Sequence, residues 1–231
     1  MPPRFMRPTL SEQNTSAVVP KTQKHLPFRI LMLLVGTAFA SFGIALTTTS
    51  GLGTTPISSV PWTITAITGL SFGTTTFLIN VAFYILEVVL LRSAMPKWNI
   101  LQLPAVFVFS VFIDASMMLA RFTAPSTWLG GLVMSIAGNL SLAFGILLQV
   151  RSKTLVQPGE GAVLAISVVC RKAFSSVKVF FDCFLVASAA CLGWFVLDSI
   201  IGIREGTLIS AVLVGTLVKL LARLFPEKKK S

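Results

Sequence analysis

The chain has 231 residues, of which 54% are hydrophobic and only 12% charged, with a mean hydropathy of +0.85 and a formal net charge of +11. Soluble domains carry roughly 25% charged residues, so this composition excludes an ordinary soluble fold and points to a membrane protein. A single histidine, His25, and three cysteines without metal-ligand spacing (Cys170, Cys183, Cys191) exclude the usual histidine-based hydrolases and any paired-histidine metal site, and neither a cofactor nor enzymatic activity is expected.

The first 27 residues are polar and contain Pro, Thr and Ser, as expected of a disordered cytoplasmic tail. A basic tail followed by the apolar run 30–39 and Ala38-Phe39-Ala40 is also the pattern of a cleavable signal. The run continues through Leu46, however, and its second half recurs later in the chain, which favours a membrane span.

A helix needs about 20 mostly apolar residues to cross the hydrocarbon layer. In chain order, six stretches qualify: 28–50, 74–91, 100–121, 127–150, 177–197 and 206–225. Two more, 56–69 and 158–170, are apolar but too short, and each opens on a proline, which is tolerated at the first helical position. They are expected to be short helices, re-entrant or lying at the membrane surface. Thr55 stands where an N-cap hydroxyl is wanted, and Glu160 falls in a first turn, where negative charge suits the helix dipole. The cysteines are expected to be small packing residues.

The chain matches itself at an offset of 102. GTAFASFGIAL at 36–46 is followed by GNLSLAFGILL at 138–148, and the same offset pairs Met32 with Met134, Ser50 with Ser152, Pro56 with Pro158, Ile64 with Ile166 and Phe72 with Phe174. Residues 28–126 and 127–231 are therefore expected to be two copies of one unit, each a span, a short helix and two more spans. Three spans per copy put the second copy into the membrane upside down. The expected fold is an all-α polytopic membrane protein, six transmembrane helices and two short helices in two inverted-topology repeats.

With the N-terminus in the cytoplasm, 17 of the 19 Lys and Arg residues fall on or toward the inside, leaving only Arg121 and Arg204 outside. That asymmetry predicts cytoplasmic N- and C-termini in a plasma membrane. The basic residues then serve as topology signals and contacts for anionic lipid, not for nucleic acid, which calls for exposed aromatics among the basic residues.

Intramembrane polar residues are costly and face the protein interior or a cavity. Asp114 lies within the third span and Asp182 within the fifth, one turn after Lys178; Asn80 is the offset counterpart of Asp182. Asp114 and Asp182 read either as a buried structural pair or as a functional site, with proton coupling as one role. Glu87 and Lys219 read as interface anchors near span ends. The stretch 47–59, TTTSGLGTTPISS, offers the hydroxyls of Thr54, Thr55, Ser58 and Ser59 beside a helix N-terminus, suited to a small polar or anionic solute. The alternative is a loop whose hydroxyls serve its own backbone. In the second copy Gly159 and Glu160 take the corresponding place.

GLGTTPISS at 51–59, GLSFGTTTFLIN at 69–80, PGEG at 158–161 and GIREGTLISAVLVG at 202–215 resemble the YczE/YyaS/YitT-type family of bacterial integral membrane proteins. The resemblance spans about residues 28–225. It implies a multi-span protein of the bacterial inner membrane, and it transfers no catalytic residue. Two functions are expected: a small-solute transporter or channel, with Thr54, Thr55, Ser58, Ser59, Asn80, Gly159, Glu160 and Asp182 along the path, or a non-transporting accessory protein supporting another envelope or biosynthetic system.

Overall fold

The computed structural model describes residues 26–92 and 95–225. The expected tail lies almost wholly outside the described residues. Within them the protein is helical: α1 Leu26–Thr49, α2 Pro56–Thr68, α3 Phe72–Leu91, a 3-10 turn Lys97–Leu101, α4 Gln102–Arg121, α5 Trp128–Ser152, α6 Pro158–Cys170, α7 Phe174–Leu197 and α8 Glu205–Leu224. Six are long and apolar enough to cross a membrane: α1, α3, α4 with its preceding turn, α5, α7 and α8. At 1.5 Å per residue, the 13 residues of α2 or α6 reach only about 20 Å.

Local chemistry sets the helix ends. The third helix starts two residues earlier than its hydropathy suggests because Ser71 caps it, its hydroxyl accepting from the Thr74 amide at 3.1 Å. Thr127 caps α5 in the same way, from Gly130. Both short helices end on a left-handed residue, Gly69 (φ 73°) and Arg171 (φ 53°), 102 positions apart. Glycine takes that conformation freely, whereas a side chain there costs about 1 kcal/mol.

The centre of the bundle is the pair α1–α5. Gly36 lies against Gly145 and Gly43 against Gly138, so the two helices run antiparallel. A Cβ added at Gly43 would stand 2.5 Å from the Gly138 carbonyl oxygen. Lipid tails are as apolar as any side chain, so helices in a bilayer gain by close backbone approach rather than by escaping water. The contact is completed by the Ser141 hydroxyl donating to the Phe39 carbonyl at 2.9 Å and by an edge-to-face pair, Phe39–Phe144, at 5.1 Å.

Around this axis α1 packs on α4 and α5 on α8; α3 packs on α6 and α7 on α2; α2 packs on α3 and α6 on α7. The pairing of α3 with α4 has no equally close counterpart between α7 and α8. The residues account for this. Asp114 of α4 accepts hydrogen bonds from the N-terminus of α3, and the residue 102 positions later is Thr216, whose hydroxyl turns back to the Val212 carbonyl of its own helix. One apolar core gathers Ile44, Phe72, Phe109, Ile113 and Leu142; a second gathers Phe83, Val163, Val177, Phe181 and Leu185 around the short helices.

Candidate functional site

Neither short helix lies on the surface. The first turns of α2 and α6 are buried, and only their C-terminal ends emerge. They meet at their N-termini: the Ile57 side chain sits over Gly159, where a Cβ would come within 2.5 Å of Ile57 Cδ1. These two residues are themselves 102 positions apart. Gly159, expected to expose backbone to a solute, instead makes room for Ile57. Phe83 and Phe181 close the same layer, ring centres 5.4 Å apart, with Val163 beside them.

On the α2 side of that layer the expected hydroxyls are together and buried. The stretch 47–59 folds into the protein because Thr54 donates its amide to Gly202 O at 2.9 Å and Gly53 lies against Arg204 and Thr207. Thr54 Oγ1 shares a hydrogen bond with Thr48 Oγ1 at 2.8 Å; Thr55 Oγ1 donates to Ser58 Oγ at 2.9 Å; Ser59 Oγ donates to Pro56 O at 2.6 Å. Thr55 occupies the N-cap position, but its hydroxyl donates to Ser58 and accepts from no backbone amide of the helix. Asn80 is buried, its Nδ2 donating to Thr76 O at 2.9 Å. In this conformation the hydroxyls serve the protein's own groups.

On the α6 side, Lys178 Nζ donates to Asp182 Oδ1 at 2.8 Å across one turn of α7. Glu160, in the first turn of α6, interacts electrostatically with the same pair. Burial raises its proton affinity, Lys178 opposes the rise and Asp182 adds to it. The predicted residues thus fall into separate groups, the hydroxyls at the start of α2 and the charged side chains of α6 and α7.

Asp114 and Asp182 are not a pair. Asp114 ties α4 to the start of α3, its Oδ1 accepting from the Gly73 amide and its Oδ2 from the Ser71 hydroxyl, both at 2.7 Å. The cysteines are exposed along the bundle rather than packed within it. Among the described residues no group of His, Cys, Asp and Glu is placed to hold a metal ion. Lys219 is exposed.

Glu87 departs from its expected role. It is only 3% exposed, covered by α6 at Gly161 and by Asn99 and Gln102. Nearby, Gln102, Gln149, Gln157 and Thr37 border a cavity of about 20 Å³, room for about one water. Sequence reasoning placed Glu87 at an interface because depth was measured along its own helix. What covers it is α6, some 70 residues away in the chain. The available signal was the cluster of carboxamides, Asn99, Gln102, Gln149 and Gln157, at apolar span ends.

No curated protein and no solved structure matches the chain. Residues 27–223, which take in all eight helices except the ends of α1 and α8, match a family of unknown function, DUF6198, and the chain belongs to that family.

Proposed function

We propose that the protein is a transporter or channel for a small polar or anionic solute in a bacterial inner membrane, built from two copies of one unit in opposite orientations. The observation that carries this reading is the meeting of two short helices, N-terminus to N-terminus, at Ile57 and Gly159. Secondary transporters built from inverted repeats hold their solute at such a junction, where helix N-termini direct partial positive charge at an anionic group. Three further observations support the duplication. Helices begin at 26 and 128, 56 and 158, 72 and 174. The packing partners exchange under the same offset. The first spans of the two units run antiparallel through Gly36–Gly145 and Gly43–Gly138.

On this reading α2 and α6 are re-entrant, and the Ile57–Phe83–Phe181 layer is a closed gate. Thr54, Thr55, Ser58, Ser59 and Asn80 line the path on the outer side, and Gly159, Glu160 and Asp182 on the inner side, with Asp182 able to carry a coupling proton. Asp114, with both carboxylate oxygens engaged, is a structural tie. The Lys and Arg count puts both termini in the cytoplasm, against anionic lipid, and the resemblance to the YczE/YyaS/YitT-type proteins points to the same membrane.

Protein purified into liposomes tests the proposal. Transport predicts flux of at least one solute in a broad panel of small polar and anionic compounds, with loss of ligand-induced stabilisation in Asp182→Asn. No flux and an unchanged Asp182→Asn overturn it. The self-satisfied hydroxyls around Thr54 favour a second reading, a non-transporting accessory protein, and a stable co-purifying partner without solute binding supports that one.

A further inference from the structure

Glu87 presents an unusual balance of donors and acceptors. Its Oε1 accepts from Asn99 Nδ2 at 2.7 Å, while its Oε2 is buried with no hydrogen-bond partner. The Gln102 side chain lies beside the carboxyl, is itself only 2% exposed, and its Oε1 also has no partner. A buried carboxylate oxygen with nothing to accept is an expensive arrangement in a protein interior.

Among the described side chains that face Glu87, none supplies a compensating charge. Glu87 is faced from α6 by Gly161, packed so closely that an added Cβ would overlap Oε2, from the 3-10 turn by Asn99, and from α4 by Gln102. Among the described residues, α2 carries no titratable side chain. The acid of α6, Glu160, interacts electrostatically with Lys178 and Asp182. Asp114 and Arg121 belong to the far end of α4, Asp114 lying about 18 Å along the helix from Gln102. A hard metal cation needs about six oxygen ligands, and two unpartnered oxygens against a glycine backbone do not provide them.

A proton meets the deficit. Placed on Oε2, it removes the carboxylate's charge from the buried site, while Oε1 keeps the hydrogen bond from Asn99. We propose that Glu87 is a proton-binding site of this protein, a neutral carboxyl at the foot of α3 beside Gln102, a side chain that also lines the cavity shared with Gln149, Gln157 and Thr37. That this proton is coupled to solute movement rests on the transport reading; that it is bound does not.

Infrared spectroscopy of the reconstituted protein at neutral pH tests the site without any solute. The expected result is a protonated-carboxyl C=O band that is lost in Glu87→Gln and kept in Glu160→Gln and Asp182→Asn. Absence of such a band, or its survival in Glu87→Gln, overturns the proposal. Wild-type protein gives a second readout that does not depend on a variant folding. A lipid-soluble carbodiimide, which reacts with protonated carboxyls in apolar surroundings, should modify Glu87 in peptide mass spectra, with labelling falling as pH is raised. Glu87 left unmodified across that range also overturns it. A failed flux assay bears on transport and leaves this result standing.

Discussion

Ile57 and Gly159 are the second residues of two short helices, and the side chain of one fills the space left by the absent side chain of the other. Because they occupy equivalent positions 102 residues apart, any axis relating the two halves of the chain passes close to this contact. The pair is asymmetric in chemistry although symmetric in position: two isoleucines would collide, and two glycines would leave a hole.

The first prediction concerns that contact. Gly159→Ala forces Ile57 Cδ1 aside, and overpacking of this kind costs about 1–3 kcal/mol. Since the obstructing atom is the end of a flexible side chain, the cost should fall at the lower end, and adding Ile57→Val to the same chain should recover most of it. Unfolding in mixed detergent micelles measures both, and a double variant no more stable than the single one counts against the contact.

A harsher outcome is expected at the α1–α5 axis. Gly43→Ala brings a methyl against the Gly138 carbonyl and the Leu142 amide, which are backbone and do not yield. The same one-carbon change should therefore destabilise by about 3 kcal/mol, the upper end of the overpacking range. Comparing Gly43→Ala with Gly215→Ala, whose Cβ meets nothing within 4 Å, separates packing from helix propensity; Gly215→Ala should be neutral or slightly stabilising.

Asp114→Ala removes the acceptor for the Gly73 amide and the Ser71 hydroxyl together. Hydrogen bonds to a charged group are worth about 1.5–3 kcal/mol, so the loss should fall in that range, and Asp114→Asn, which keeps one acceptor, should recover part of it. The top of α3 should loosen locally, seen as faster amide hydrogen exchange at 72–76. Unchanged exchange there would remove Asp114 from its structural role.

The proposed inverted arrangement makes a sidedness prediction. In a background otherwise free of cysteine, native Cys170, exposed at the end of α6, should react with a membrane-impermeant maleimide only from the cytoplasmic side. A cysteine at Leu70, exposed just past the end of α2, should react only from the opposite side. Labelling of both from one side would show that the two short helices emerge on the same face.

Glu160 gives a pH dependence. Its carboxyl has a higher proton affinity in the folded protein than the ordinary value of 4.5, chiefly because it is buried. The folded state therefore binds the proton more tightly, and stability is greatest below about 4.5 and falls as pH rises through the raised folded value. Glu160→Gln should flatten this component of the stability profile, and Lys178→Ala should steepen it, since the lysine offsets part of the burial effect.

Much of the architecture is legible in the residue order, for reasons intrinsic to lipid. With no water to satisfy backbone groups, an apolar run of some 20 residues has to be a helix, so composition and run length alone give the six long helices. Pro56 and Pro158 mark the start of the two short ones to the residue, because proline suits a first turn and disrupts an interior. The glycines at 36, 43, 138 and 145 stand out as a repeated spacing, although nothing along the chain says that they face one another.

The roles of the polar residues were decided elsewhere. Thr54 is buried because Gly202, 148 residues on, receives its amide; Asp114 is a tie because α3 starts beside it; Glu87 is sealed because α6 turns back over it at Gly161. A side chain's own helix fixes only its distance from a helix end, and distance from an end is a poor guide to solvent wherever a short helix folds back into the bundle. Composition and run length settled that this chain has six long apolar helices. Only the packing of two 13-residue helices against them determined which acids are paired, which hydroxyls are spent, and which carboxyl is left needing a proton.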